Sequence, residues 1–321
     1  MRLKAAVLSG TGGVWRTLDE AGVTRDVSLR GRLKQAGKGG GGGGSEEGGR
    51  EALKLAVGDQ VIIERTERGD AWAIAEILPR RSQLARKAPG TEFRERVVVA
   101  NVDQVVIVFA AAQPEPHPRM LDRFLVIAAA NDIPARVVIN KIDLVSEDDV
   151  RARFAAYERA GYPLHLTSAA TGAGLDELAT ALRGRETAIS GPSGAGKSSL
   201  LNAIYPGFNL RVGEISRSVN KGRHTTVGAS MHPLPDPDGG FVVDTPGLRE
   251  VGIWELDPRE LAGCFIEFRP HIERCRFADC LHRAEPGCAV RDAVAAGEVS
   301  ADRYDSYLRL LEELERSARA W

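Results

Sequence analysis

The stretch that decides the fold runs Gly191-Pro192-Ser193-Gly194-Ala195-Gly196-Lys197-Ser198-Ser199. It follows the apolar run 187–190 and precedes the apolar run 200–204, which is the order of strand, glycine-rich turn and helix that a phosphate cradle needs. Its glycines let backbone N–H groups converge on a β-phosphate, while Lys197 reaches the β- and γ-phosphates and Ser198 ligates Mg²⁺. The stretch predicts a nucleotide site without identifying the base.

Length, charge and cysteine content limit the class of protein. A chain of 321 residues is longer than one core usually supports, so two or three domains are expected. The 43 Lys+Arg nearly cancel the 44 Asp+Glu, so any nucleic-acid surface must come from local basic clusters. Four cysteines, no secretory leader and no long apolar run predict a cytoplasmic protein with reduced thiols, no membrane contact and, by default, a monomeric state.

Short β-strands separated by turn residues fill the region up to about residue 81. Their spacing predicts a small closed barrel such as an OB-fold, although segments this short are also compatible with another small barrel. An unbroken glycine run at 39–44 excludes a strand there, so residues 35–51 are interpreted as a flexible insertion. The predicted strands are 3–9, 27–33, 60–64 and 71–78.

Basic residues recur in this barrel together with Trp15 and Trp72. They either line a groove that binds an RNA backbone and stacks its bases, or form a solvated surface over core tryptophans, and composition favours neither interpretation. The arginine-rich stretch 83–98 contains Pro89-Gly90 and is interpreted as a basic linker. The basic residues are Arg2, Lys4, Arg16, Arg25, Arg30, Arg32, Lys34, Lys38, Arg50 and Lys54.

Beyond the linker, strands alternate with helices. This alternation predicts a parallel sheet that is covered on both faces and binds its ligand beyond the carboxyl ends of the strands. The predicted strands are 104–109, 135–140, 163–167, 186–190 and 241–243, and the predicted helices are 120–131, 147–160 and 175–182.

The motif Asn140-Lys141-Ile142-Asp143 lies at the end of one of these strands, where a base would bind. The carboxylate of Asp143 can accept hydrogen bonds from N1–H and the 2-amino group of guanine, whereas adenine would leave it unpaired at a cost of several kcal/mol. Asn140 supports the loop and the Lys141 stem covers the ring. Thr167-Ser168-Ala169, after the next strand, suits the loop whose N–H meets guanine O6. The combination predicts GTP.

A further motif, Asp244-Thr245-Pro246-Gly247, follows the last apolar strand. Asp244 suits a water-mediated contact to Mg²⁺, and the N–H of Gly247 suits the γ-phosphate. The polar stretch 218–226 has the character of a switch that orders around the γ-phosphate and Mg²⁺, with Thr225 as the predicted magnesium-binding threonine and Thr226 as the alternative.

These motifs occur in an unusual order, because the base-reading motifs precede the phosphate cradle in the chain. Ordinary GTPases begin with the cradle, so the order predicts a circular permutation. Permutation moves the chain termini without moving the site, and it ties the segment after Gly247 directly to a loop that moves on hydrolysis.

Near the C-terminus, three cysteines and one histidine follow the spacing C-x4-C-x-H-x5-C. This donor set predicts a closed, tetrahedral, structural Zn²⁺ site with one ion per chain. Cys264 lies on a predicted helix, 258–268, and is expected to pack as a small apolar residue. A last amphipathic helix is predicted at 301–319. The four predicted ligands are Cys275, Cys280, His282 and Cys288.

With these motifs the sequence resembles the small-ribosomal-subunit-dependent GTPase A family, the permuted GTPases also called RsgA or YjeQ. The resemblance implies GTP hydrolysis to GDP during late maturation of the small (30S) ribosomal subunit, stimulation by that subunit, and rRNA contact through the OB-fold. The expected fold is therefore multidomain. It comprises an all-β OB-fold barrel (1–82), the linker (83–98), a circularly permuted α/β P-loop GTPase domain (99–257) and a mostly helical zinc-binding domain (258–321).

Position 248, where many GTPases carry a glutamine that orients water, is Leu248. Leucine cannot hydrogen-bond to water, so intrinsic hydrolysis is expected to be slow. His224 is the predicted helper beside Lys197 and Thr225, although a switch histidine can also contact RNA or simply pack. Two other functions stay open: a GTP-dependent RNA-binding switch with incidental hydrolysis, and a small-molecule P-loop kinase, against which the guanine motif argues.

Overall fold

The computed structural model describes residues 1–30, 55–66, 71–87, 95–208, 210, 229–244 and 256–319. Several predicted features lie outside these residues: the insertion 35–51, the switch 218–226 with His224 and Thr225, and the positions Gly247 and Leu248. No helix among the described residues is both long and apolar enough to span a bilayer.

The N-terminal region forms a closed five-stranded barrel with strand order β1-β2-β3-β5-β4, which confirms the OB-like prediction. Four strands lie at or near the predicted positions, and the sequence pattern missed β2. That strand alternates apolar with polar residues, and only its Thr17 and Asp19 are buried. The strands are β1 (Arg2–Thr11), β2 (Val14–Asp19), β3 (Thr24–Leu29), β4 (Gln60–Arg65) and β5 (Trp72–Ile77).

The stretch interpreted as a basic linker carries strand structure at both of its ends. β6 (Gln83–Lys87) pairs antiparallel with β7 (Glu95–Ala100). The side chains of Leu84 and Val99 are fully buried, and their core is continuous with that of the following domain. Arginine content obscured this pattern, because apolar side chains at alternate positions suffice to hold a short hairpin on a core. The domain bounds themselves remain a prediction.

The central domain is a six-stranded sheet of order β10-β9-β8-β11-β13-β12. All neighbours are parallel except the edge pair β12–β13. The strands β8, β9 and β11 are mostly buried apolar runs, as expected for a sheet with helices on both faces. The strands are β8 (Gln104–Ala110), β9 (Ala135–Asn140), β10 (Leu164–Leu166), β11 (Glu186–Ser190), β12 (Ser230–Pro233) and β13 (Phe241–Asp244).

Helices cover both faces of this sheet, and each helix that joins two parallel strands returns the chain from the carboxyl edge of the sheet to its amino edge. Helices α1 and α2 pack on one face, and α3 and α4 pack on the other. Each described loop that leads from a strand into a helix therefore lies at the carboxyl edge, where the predicted nucleotide motifs lie. The helices are α1 (Pro118–Ala130), α2 (Glu147–Arg159), α3 (Leu175–Leu182) and α4 (Lys197–Ile204).

The C-terminal region is mostly helical, but the predicted single helix 258–268 is wrong. It divides into α5 (Leu261–Cys264) and a 3-10 turn (Ile266–Phe268), separated by Phe265 with an extended ψ of 97°. The break allows Phe265 and Phe268 to stack on each other and both to contact Tyr307 edge-on. Short helices follow at α6 (Arg269–Ile272) and α7 (Ala289–Ala295), and the final helix α8 (Ala301–Arg319) has its predicted bounds.

Helix α8 is joined to α1 of the central domain by ion pairs, one of which is deeply buried. The Arg303 guanidinium binds Asp122 at 2.6 Å and Glu267 at 2.6 Å, with 3% of its side chain exposed. Arg119–Asp305 and Arg123–Glu313 form further pairs at the surface of the same helix contact. Removing one partner of a buried ion pair leaves an uncompensated charge and strongly destabilises the fold. This contact therefore fixes the orientation of α8.

A pH-dependent stability effect is expected at Glu186, the first residue of β11. Burial raises the pKa of this carboxyl to about 7 from 4.5, against the opposing effect of Arg81. The folded state therefore binds the proton more tightly, and stability is lost as the pH rises from about 4.5 to about 7. Replacing Glu186 with Gln removes this loss. The advantage of the variant over the parent in free energy of unfolding should therefore be about 1 to 3 kcal/mol larger at pH 8 than at pH 5.

Urea unfolding at both pH values measures this gain, and Glu158→Gln at the exposed end of α2 serves as the control. A Glu186→Gln variant whose advantage is the same at pH 5 and pH 8 would contradict the prediction.

Candidate nucleotide site and metal centre

The glycine-rich turn after β11 packs so closely on neighbouring backbone that two of its positions require glycine. Gly191 has φ +134°, and a Cβ there would lie 2.0 Å from the carbonyl oxygen of Val108. Gly196 has φ +92°, and a Cβ there would lie 2.3 Å from Nδ2 of Asn140. No L side chain tolerates these approaches, so the turn can hold its backbone N–H groups in a tight arc only with glycine at these two positions.

Lys197 and Ser198 open helix α4, and both are 5% exposed. The Lys197 ammonium donates to the carbonyl oxygens of Gly191 (2.9 Å) and Pro192 (3.0 Å) at the mouth of the turn. A phosphate oxygen would compete with these neutral acceptors as a stronger, charged one. Of the remaining predicted cradle residues, Ala195 is buried, Ser199 is partly buried, and Ser193 and Gly194 are exposed.

The Asn140 side chain joins the phosphate turn to the predicted base-reading loop. Its amide Nδ2 donates to the Ala195 carbonyl at 2.9 Å, and its Oδ1 accepts from the Ala169 N–H at 3.2 Å. The phosphate turn and the loop 167–169, which are separate in the sequence and in permuted order, are therefore bridged by one side chain that is only 1% exposed. Any ligand held by the turn lies beside the loop 167–169.

The carboxylate of Asp143 is oriented by this same loop. Ser168 Oγ donates to Asp143 Oδ1 and accepts from the Thr171 N–H, which fixes the direction of the hydroxyl. The Ile142 N–H donates to Thr167 O at 3.2 Å and closes the contact between the two motifs. The Asp143 residue itself is exposed, so its carboxylate lies at the surface beside the joined loops.

One further segment at this edge was missed by sequence reasoning. Lys141 has a left-handed backbone (φ 62°) and donates through Nζ to the carbonyl oxygen of Gln113. The adjacent Pro114 ring lies 3.4 Å from the position of a Cβ on Gly194. The loop after β8 therefore borders both the lysine and the phosphate turn. Its only sequence signal is that it follows the carboxyl end of a buried strand.

At the predicted magnesium site, Asp244 is the last residue of β13 and is 9% exposed. Asp244 pairs in register with Ile189 of β11, so this residue lies next to the start of the phosphate turn. The predicted partners Thr225 and Gly247 and the helper His224 lie outside the described residues. The described part of the site thus unites the motifs at 140–143, 167–169, 191–199 and 244.

The four predicted zinc ligands form a cluster whose donor atoms all lie within 4.8 Å of one another. His282 Nδ1 is 3.5 Å from Cys275 Sγ and 3.4 Å from Cys288 Sγ. Metal–sulfur and metal–nitrogen bonds of zinc length at a tetrahedral angle imply about 3.6 Å for such a pair. Burial raises the pKa of the Cys280 thiol to about 12, so a cation is needed to hold it as a thiolate. The donor set and geometry can hold a metal ion.

Helix α8 supports the metal loop through its backbone. Tyr304 donates its hydroxyl to His282 O at 2.6 Å, and Tyr307 donates to Leu281 O at 2.7 Å. The Glu285 carboxylate accepts from three backbone N–H groups of the same loop, which also lowers its pKa. Cys264 is buried outside the cluster, and burial raises the pKa of its thiol to about 11, as expected for a packed thiol.

Comparisons with known proteins agree with the motifs and geometry of this site. The RsgA GTPase family profile matches residues 77–254. The chain is 57% identical to the small ribosomal subunit biogenesis GTPase RsgA of Gemmatimonas aurantiaca, covering 96% of each chain, and 41% identical to that of Alkaliphilus metalliredigens, covering 84% and 89%.

Two solved structures share the whole architecture. The crystal structure of YjeQ from Thermotoga maritima superposes with a TM-score of 0.76 at 35% identity, covering 98% of this chain and 99% of that one. YloQ, described as a circularly permuted GTPase, gives 0.73 at 28% identity, with 98% and 96% covered.

Proposed function

The chain belongs to the RsgA family of GTPases, and we propose that it hydrolyses GTP to GDP and phosphate during late maturation of the small (30S) ribosomal subunit. The observation that carries the proposal is the Asn140 side chain, which bonds to both the phosphate turn and the base-reading loop. A site built in this way holds a ring and a triphosphate together. Relatives that match nearly the whole chain are named small ribosomal subunit biogenesis GTPases, which supports this proposal.

Within this site each motif has one task. The phosphate turn holds the β- and γ-phosphates, Lys197 offsets their charge, and Asp143 selects guanine. Mg²⁺ accompanies GTP in such enzymes and supplies charge neutralisation between the phosphates. The proposed magnesium ligands are Ser198, Thr225 and, through water, Asp244. The proposed GTP-binding residues are Asn140, Lys141, Ile142, Asp143, Thr167, Ser168, Ala169, Gly191, Pro192, Ser193, Gly194, Ala195, Gly196, Lys197, Ser198, Ser199, Asp244 and Gly247.

The metal at the C-terminal cluster is proposed to be Zn²⁺. Three sulfur donors and one imidazole are the set that zinc prefers, and four protein ligands leave no position for a reactive water. Its task is therefore structural, and it stabilises a loop that has few apolar side chains of its own.

The barrel is proposed to bind rRNA of the small subunit, and the protein to act as a monomer in the cytoplasm, where that subunit matures. Arg25 and Arg65 lie 4.9 and 5.7 Å from the Trp72 ring centroid. The Trp72 side chain is also partly buried. A ring beside two cationic groups suits a phosphate backbone next to stacked bases.

A GTP-dependent RNA-binding switch remains the second candidate, because Leu248 cannot orient a water molecule. Turnover with and without purified small subunits separates the two functions. The enzyme should be stimulated by several orders of magnitude. The switch would need GTP to bind the subunit and would show no turnover there.

Single-turnover hydrolysis on small subunits also tests His224. If its imidazole helps to activate water, His224→Ala should lower the rate about 100-fold at unchanged GTP affinity. His232→Gln on β12 is the matched control and should retain the parental rate. An unchanged rate for His224→Ala with intact subunit binding would remove this residue from the catalytic set.

A further inference from the structure

Two arginines converge at the edge of the central sheet opposite the nucleotide motifs. Arg136 Nε and Arg185 Nη1 both donate to the same oxygen, Oε1 of Gln104, at 2.8 and 3.2 Å. Gln104 begins β8, whose carboxyl end lies six residues further on, so this edge is about 20 Å from the phosphate turn. The Gln104 amide nitrogen is fixed by Ala181 O and the Thr187 hydroxyl, so it cannot turn away.

The surroundings do not neutralise this pair of charges. Within the described ranges, neither guanidinium forms an ion pair with a carboxylate. Arg136 also donates to Nε2 of His165, which must therefore be the unprotonated nitrogen of the ring. Glu177, whose negative charge acts on Arg136, is 71% exposed and lies 3.1 Å from the other nitrogen of that histidine.

The charges that act on Arg136 also leave an excess of positive charge at this edge. Burial lowers the pKa of Arg136, the neighbouring Arg185 lowers it further, and Glu177 acts in the opposite direction. The negative end of α3, which supplies Ala181 O, offsets about half a charge. Two like charges held together by a neutral amide thus keep an excess of positive charge at the partly buried Arg136, and the exposed Arg185 leaves the pair accessible to an anion.

We propose that Arg136 and Arg185, held by Gln104, form a second anion site that binds a phosphate group. Guanidinium forks match the oxygens of phosphate, and two of them can bind one group from two directions. The phosphate could belong to an RNA backbone or be free in solution. The site does not depend on GTP hydrolysis.

The test uses the full-length protein saturated with GDP and Mg²⁺, so that the phosphate turn is occupied. Inorganic phosphate is titrated while the side-chain Nε–H signals of the arginines are followed by NMR, with assignments from Arg136→Lys and Arg185→Lys. The signals of Arg136 and Arg185 should shift together and saturate, while Arg151, an exposed arginine paired with Glu147 on α2, should not move. In Arg185→Gln the shift of the Arg136 signal should reach half of its maximum only at a phosphate concentration at least about 10-fold higher.

A single-stranded RNA 12-mer identifies the source of the phosphate. If the ligand is an RNA phosphate, Arg185→Gln should reduce the slope of log affinity against log salt by about 0.7, and Arg151→Gln should leave it unchanged. An unchanged RNA slope with a saturating phosphate shift assigns the site to a free phosphate. Signals that do not shift, or that shift equally at Arg151, would overturn the proposal.

Discussion

Replacing Asp143 with asparagine is expected to weaken GTP binding about 1,000-fold and to improve XTP binding at the same time. In the proposed site the Asp143 carboxylate accepts from both N1–H and the 2-amino group of guanine, whereas an amide offers one acceptor and one donor and opposes its NH₂ to the guanine amine. Xanthine carries an oxygen at that position, which accepts from the same NH₂. The variant should therefore exchange one base for the other while keeping the phosphate contacts.

Equilibrium titrations with fluorescent GDP and XDP measure this exchange. Asp148→Asn, an exposed carboxylate in the first turn of α2, is the matched control and should leave both affinities unchanged. Ser168→Ala should give a milder, roughly 10-fold loss for GDP, because it removes the hydroxyl that orients Asp143. Unchanged GDP affinity in Asp143→Asn would refute guanine reading by this residue, and tighter binding of ATP than GTP by the parent would favour a kinase.

The elements of the central sheet could be predicted because their physical signals are local. Strands buried on both faces need continuous apolar runs, and β9 and β11 have the predicted bounds for that reason. The site motifs were also local, since a phosphate turn needs its glycines within a few residues of the strand. Edge strand β12 and barrel strand β2 were missed, because half-exposed strands carry polar residues at alternate positions.

Contacts between distant segments that no functional motif marks could not be predicted. Arg303 lies on a helix rich in charged residues and would ordinarily be assigned to its solvated face. Instead it is buried between Asp122 and Glu267, with the rings of Phe265 and Tyr157 beside its guanidinium. Asp122 is followed directly by Arg123, so its burial carried no clear local signal either. Partner choice depends on tertiary approach, which a local pattern does not encode.

The same limit applies to the nucleotide site. The Asn140–Ala195 bond links positions 55 residues apart, and the Lys141–Gln113 bond involves a main-chain carbonyl that no sequence motif marks. Helix α1 starts at Pro118, just after the Gln113 loop, and carries the ion pairs to α8. The C-terminal helix thus contacts the helix that directly follows the loop bordering Lys141.

Removal of the metal is expected to disorder the C-terminal metal loop and to loosen α8. Cys280→Ser deletes one of four ligands, and because most of the folding free energy of such short loops comes from the ion, metal affinity should fall by at least about 1,000-fold. The purified parent should contain one zinc per chain, and the variant close to none. Amide hydrogen exchange should then rise in the loop and in the α8 turn that carries Tyr304 and Tyr307, whose hydroxyls bind the loop backbone.

Cys264→Ala separates loss of a ligand from loss of a buried thiol. Cys264 is buried outside the cluster, so its replacement should lower stability by only about 1 kcal/mol and leave one zinc bound. Because Arg303 joins α8 to Asp122, loosening in Cys280→Ser should stop at this buried ion pair, and α1 should keep its protection against exchange. A Cys280→Ser protein that retains one zinc, or that exchanges its loop amides as slowly as Cys264→Ala, would show that these four residues do not form a metal site.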